Sequence, residues 1–240
     1  MQPVRNRNNG LSPYSVHQLP WAKPNGRIKA LTEAILSLWF LLALSCSLLG
    51  VFDSKQRPPI PLGAAAILPV VAFGICYLKW AEFRQFVLAA NLRVLTLAQT
   101  WRVGGVVFLI LHQQGLLPSV FALPAGLGDI AIGATAPLVA LAISSRTSFP
   151  IKTFVAWNLL GMFDLVMAVT LGILASDSPF GVLAGDITTQ MMGTFPLSMI
   201  PTFFVPLLII FHLIALGRVW NEGEGEAITQ SERRRHDDAR

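Results

Sequence analysis

PSVFALPAGLGDIAIGATAP, residues 118–137, decides how the rest of the chain is read. About 20 apolar residues rising 1.5 Å each cross the hydrocarbon core of a bilayer, and this stretch has that length and character. Near its middle stands a carboxylate, Asp129, and its neighbours Gly126, Gly128, Ala131, Gly133, Ala134 and Ala136 are nearly all small. An ionisable group at that depth costs about 2.5–3.5 kcal/mol on insertion scales, so it calls for a partner or a polar cavity. Ala122, Gly126, Asp129, Gly133 and Ala136 follow steps of four, three, four and three. That spacing makes one helix face: a close-packing stripe of small residues with an acid in it.

Working outward, residues 151–175 repeat the idea with Asn158, Gly161, Asp164, Ala168 and Gly172. Both stripes contain Gly-x-x-Asp-x-x-x-small, Gly126 to Gly133 and Gly161 to Ala168. Four further apolar runs complete an all-α membrane protein, a bundle of six transmembrane helices. The spans are expected at about 30–52, 62–80, 94–116, 119–143, 151–175 and 195–216. They form a transmembrane domain over 30–218, preceded by a disordered basic arm, 1–29, and followed by a charged, disordered tail, 219–240. The long basic region before residue 30 and the length of the first apolar run argue for a span rather than a cleaved signal. Pro196, Pro201 and Pro206 recur every five residues and predict a kinked sixth span. Between spans two and three, Trp80, Phe83 and Val87 share one face of a short interfacial helix.

Composition agrees. Of 240 residues, 53% are hydrophobic and 13% charged, and the mean hydropathy is +0.59. Soluble domains carry about 25% charged residues. The net charge of +5 is not a nucleic-acid patch, because its sources are loops and ends. With a cytoplasmic N-terminus, fifteen of the eighteen Lys and Arg fall in inner segments. Lys55 and Arg57 fall outside, and Arg102 lies within a span. The positive-inside rule therefore predicts both termini in the cytoplasm. Cys46 and Cys76 differ in depth by about 13 Å at 1.5 Å per residue, too far for a disulfide. No zinc spacing, Walker loop or dinucleotide fingerprint occurs.

The candidate site is a polar constellation in spans three to five. Gln99, Arg102, Gly105 and His112, three, three and seven residues apart, share a broad face of span three. At 1.5 Å per residue, Asp129 lies roughly 13 Å and Asp164 roughly 16 Å below the outer surface. His112 is expected roughly 6–8 Å down, and Arg102 near roughly 20 Å, with a side chain long enough to reach toward the acids. Two close carboxylates resist double ionisation unless a cation intervenes. Asp129 and Asp164 are then proton or cation acceptors, Arg102 a countercharge or anion anchor, and His112 an outer-side gate. Asn158 and Gln99 are interhelical hydrogen-bond glue.

Three readings follow. In the first, the chain binds or transports a small solute or ion through this core. In the second, it is a structural or assembly subunit whose buried charges only lock helices. In the third, it is a membrane-embedded enzyme or haem protein. No catalytic residue and no metal set is identified. His112 and His212 are intramembrane histidines, but His212 is expected near the inner end, so one haem bridging both is disfavoured.

Gly115-Leu116-Leu117-Pro118, FALPAGLGD (121–129) and AWNLLGMFDLV (156–166) resemble a family of bacterial multi-pass inner-membrane proteins usually described as uncharacterised. The resemblance covers about Arg102 to Leu216. It implies a bacterial inner-membrane address and carries no activity with it.

Overall fold

The computed structural model describes residues 26–144 and 151–238, so most of the expected basic arm and the loop carrying Arg146 lie outside the described residues. The described chain is all-helical, with no strand among the described residues. Six helical runs are long and apolar enough to cross a membrane: Gly26–Leu48, Ile60–Lys79, Leu92–Gln113, Ser119–Ile143, Ile151–Leu174 and Ile200–Asn221. This is the architecture of a multi-pass membrane protein. Six passes return Asn221 to the end of the bundle from which Gly26 starts. The opposite end carries the long loop between Leu174 and Ile200, and is called here the long-loop end.

α1 (Gly26–Leu48) and α2 (Ile60–Lys79) are peripheral. Leu31, Ile35, Leu38 and Leu42 of α1, and Ile67, Leu68, Val71 and Ile75 of α2, are exposed large hydrophobics. An exposed apolar band of that extent marks a face that meets lipid or another apolar surface. α3 (Ala81–Leu88) is the short helix expected after span two. Its Phe83 and Val87 pack with Phe73, Tyr77 and Ile214, and Trp80 stacks on Phe83.

Span three is not one α-helix. α4 (Leu92–Ala98) gives way to a 3-10 helix, Gln99–Gly105, and then to α5 (Val106–Gln113). It ends where Gly115 takes a positive φ of 71°. There the amide of Leu116 donates to the carbonyl of Leu111, and that of Gly115 to His112. Glycine is the residue that reaches this left-handed cap without strain. The Gly-Leu-Leu-Pro turn then starts α6 (Ser119–Ser144) antiparallel to span three.

α6 crosses the 3-10 helix at contact distance, and glycines allow it. A Cβ on Gly133 would stand 2.5 Å from the amide nitrogen of Val103. One on Gly105 would stand 2.5 Å from Cβ of Asp129. The small-residue stripe thus brings two backbones together, with Asp129 and Arg102 at their crossing.

α7 (Ile151–Leu174) packs beside α6. The long loop folds back onto its end and satisfies the carbonyls a helix leaves unpaired in its last turn. Thr189 donates through Oγ1 to Gly172 (2.5 Å) and through its amide to Ala175 (3.0 Å), and Leu183 donates to Leu174 (2.7 Å). After a 3-10 turn, Gln190–Gly193, the last span begins with a π-helical segment, Ile200–Phe204, and continues as α8 (Val205–Asp238).

The last span departs from the expectation at its start. The sixth span starts at Ile200 rather than 195, because Phe195-Pro196-Leu197 is apolar loop. Pro201 is the second residue of the span, where a missing amide donor is harmless, and Pro206 lies inside the run, just after the π-wound turn Ile200–Phe204. α8 continues past the last span to Asp238, over most of the stretch assigned to the charged tail. Both cysteines are free thiols.

Candidate functional site: a buried ion cluster beneath an apolar cavity

Four spans bring polar side chains to one level. Asp129 lies ten residues in from Ser119, and Asp164 ten residues in from Leu174, so each is about 15 Å from the long-loop end of its helix. Arg102 and His212 lie near the midpoints of Leu92–Gln113 and Ile200–Asn221.

Arg102 is the hub. Its Nε donates to Oδ1 of Asp129 at 2.7 Å, and its Nη2 donates to Oδ2 of Asp164. Its Nη1 donates to the carbonyl of Gly161 at 3.1 Å and faces Nε2 of His212 at 3.4 Å. A planar guanidinium with donors in a fixed fork can serve acids on two helices at once. Its side chain is 1% exposed, against 8% for Asp164 and 13% for Asp129.

The hydrogen-bond partners assign the histidine tautomer. Arg102 has no acceptor, so Nε2 of His212 must accept and Nδ1 carries the proton. Nδ1 lies 2.8 Å from Oδ1 of Asn158, which accepts that proton. Nδ2 of Asn158 in turn donates to the carbonyl of Phe154 at 2.9 Å. The edge of Trp157 closes over the imidazole, with ring centroids 5.6 Å apart. Glycines again make the room. A Cβ on Gly161 would stand 2.5 Å from Nε2 of His212, and one on Gly128 would collide with Oδ1 of Asp164. That Oδ1 is buried and has no hydrogen-bond partner among the described residues.

The charges do not cancel. One guanidinium faces two carboxylates, and His212 is held as neutral imidazole, so the cluster has one negative charge in excess when both acids are ionised. An uncompensated charge in a low-dielectric interior is expensive, and a proton or a cation would balance it.

A cavity leads to this cluster from the long-loop end. Ser54 and Gln190, with the buried Ser176 and Thr189, line it at its mouth toward the loops, its walls include Phe108, Phe121 and Leu165, and Asp129 is the one ionisable residue that lines it among the described residues. Its volume is about 60 Å³. The loops at the mouth are tied together, with Nε2 of Gln190 donating to Oδ1 of Asp53 at 3.4 Å.

Of the residues singled out from sequence, the structure brings Arg102, Asp129, Asp164 and Asn158 together. Gln99 is adjacent in chain but separate in bonding: its Nε2 reaches the carbonyl of Leu208 at 3.3 Å, joining spans three and six. His112 is not part of the cluster. It stands in the last turn of α5, with Nδ1 3.1 Å from the carbonyl of Leu117, and does not line the cavity. His212 was expected near the inner end and belongs at the centre. Moving the start of span six from 195 to 200 places it there. Among the described residues, no three His, Cys, Asp or Glu side chains are grouped to hold a metal ion.

Residues 59–220 match the model of a family described as Domain of unknown function (DUF8737). No curated protein and no solved structure matches the chain.

Proposed function

We propose, for a chain that belongs to the DUF8737 family of unknown function, that it is an integral membrane protein binding and transporting a small solute or ion through the Arg102–Asp129–Asp164 core. The observation that carries this reading is the cavity descending from the long-loop end to Asp129, the most exposed member of an ion cluster with excess negative charge. Asp129 is the acceptor that meets the cargo. Asp164 is the second acceptor behind it, with an unpartnered oxygen. Arg102 couples the two acids, and the His212–Asn158 pair holds the far side of the guanidinium. The Lys and Arg distribution supports an orientation with both termini cytoplasmic and the cavity opening outward. The sequence resemblance supports a bacterial inner membrane.

The test is proton flux into proteoliposomes holding a trapped pH-sensitive dye, under an imposed membrane potential. Wild-type protein is expected to conduct or couple protons. The Asp129→Asn variant, shown to be inserted and monodisperse, is expected to lose this. Equal flux from the two overturns the reading.

A second reading is favoured by one observation: every nitrogen of Arg102 is engaged and the side chain is all but inaccessible. Such a group is also what a helix clamp in a structural or assembly subunit needs. Under that reading Asp129→Asn unfolds or is degraded, and no flux is measured from wild type.

A further inference from the structure

We propose that the cavity is a binding site for a small organic monocation, an alkylammonium of about four to six heavy atoms by the room that about 10–15 Å³ per water-sized occupant allows, which places its charge on Asp129. This rests on the preceding reading of the site and names its ligand class.

The charge of the ligand follows from the cluster. With both acids ionised one negative charge is uncompensated, and Asp129 is the one ionisable side chain that meets the cavity among the described residues. Oδ1 of Asp129 is occupied by Nε of Arg102, and its Oδ2 has no hydrogen-bond partner among the described residues. An ammonium N–H supplies both the donor and the missing positive charge. An anion entering the same cavity would meet a carboxylate before it met the guanidinium buried behind it.

The organic body follows from the walls. By rise per residue Leu165 lines the cavity at about the level of Asp129, and Ala168, Val169, Phe108 and Val205 line it between there and the long-loop end, with no side-chain oxygen among them. The polar side chains of the lining are at the mouth, about 15 Å away along the helices by their rise per residue. A bare inorganic cation needs a shell of oxygens to replace its water. An alkylammonium brings an apolar body that the walls accommodate, and Phe108 and Phe121, packed edge to face at 5.3 Å, give aromatic surface to the part of the cavity nearer the long-loop end. The cavity volume of about 60 Å³ sets the size limit.

The experiment is isothermal titration of the purified full-length protein in detergent with n-butylammonium chloride, with n-butanol and with potassium chloride at matched ionic strength. Saturable one-to-one binding of butylammonium is expected, with no saturable heat from butanol or potassium. Asp129→Asn should weaken binding at least tenfold. Ala168→Leu fills the cavity above the acid and leaves Asp129 in place, so it should also weaken binding at least tenfold, and it decides the matter if the Asp129 variant does not fold. No saturable binding of butylammonium, an equal response to potassium, or undiminished binding in Ala168→Leu each overturns the proposal. Because this is an equilibrium measurement, its failure beside intact, Asp129-dependent proton flux removes the organic ligand and leaves the carrier reading standing. Loss of both removes the two together.

Discussion

Replacing Arg102 by Met tests the electrostatic logic of the bundle most directly. The side chain keeps much of its apolar length and loses every donor. Asp129 and Asp164 lose the group that both hydrogen-bond, and the carbonyl of Gly161 loses its side-chain donor. Removing one partner of a buried ion pair costs about 3–5 kcal/mol, because a charge is left uncompensated. Three kcal/mol is a factor of about 150 in the folding equilibrium. Unfolding in mixed micelles of dodecyl maltoside and dodecyl sulfate, followed by tryptophan fluorescence, measures the change. The triple variant Arg102→Met, Asp129→Asn, Asp164→Asn should recover most of the loss, because no charge then remains buried. Arg102→Lys should fall between wild type and Arg102→Met, since an ammonium cannot bridge both helices and reach Gly161 as the fork does. The reasoning is refuted if Arg102→Met unfolds within about 1 kcal/mol of wild type, where exposed ion pairs fall, or if the triple variant is no more stable than the single one.

Other outcomes follow from the same geometry. Gly133→Leu should cost about 1–3 kcal/mol in the same assay, because its Cβ meets the backbone of Val103. Gly172→Ala, whose Cβ has only the ring of Phe121 at 3.6 Å, should be neutral or stabilising by up to about 1 kcal/mol. Asn158→Leu leaves Nδ1–H of His212 without its acceptor and should cost about 1–3 kcal/mol. It should also shift the emission of Trp157, which lies over that imidazole. In a background without native cysteines, Lys55→Cys should react with an impermeant maleimide on intact cells and Arg84→Cys only after permeabilisation. The reverse pattern would invert the proposed orientation.

The spans were legible because lipid demands long apolar runs, and loops such as Asp53–Pro61 interrupt them with charge and proline. The pairing of Arg102 with Asp129 and Asp164 was legible for a related reason: three ionisable groups at similar depth have few ways to avoid cost except each other. The start of the last span was not legible. Phe195-Pro196-Leu197 is as apolar as a helix and differs from one only in its backbone, which composition does not record. That error moved His212 away from the cluster. The signal that could have found it is Pro201, which suits the first turn of a helix better than its middle. His112 was prominent for its type and spacing, yet its ring closes a turn. The 3-10 helix left no trace in the sequence beyond Gly104-Gly105, because its winding is imposed by packing against α6.

That winding stores a displacement. A 3-10 helix climbs about 2.0 Å and turns 120° per residue, against about 1.5 Å and 100° in an α-helix. Rewinding the seven residues Gln99–Gly105 as α-helix would therefore shorten span three by about 3.5 Å and swing α5 through roughly 140° relative to α4. The stacked rings of Trp101 and Phe204, 5.4 Å apart, join this segment to the π-wound start of the last span. Overwound and underwound turns thus face each other across an aromatic contact, and Arg102, in the middle of the overwound segment, ties it to α6 and α7 through Asp129 and Asp164.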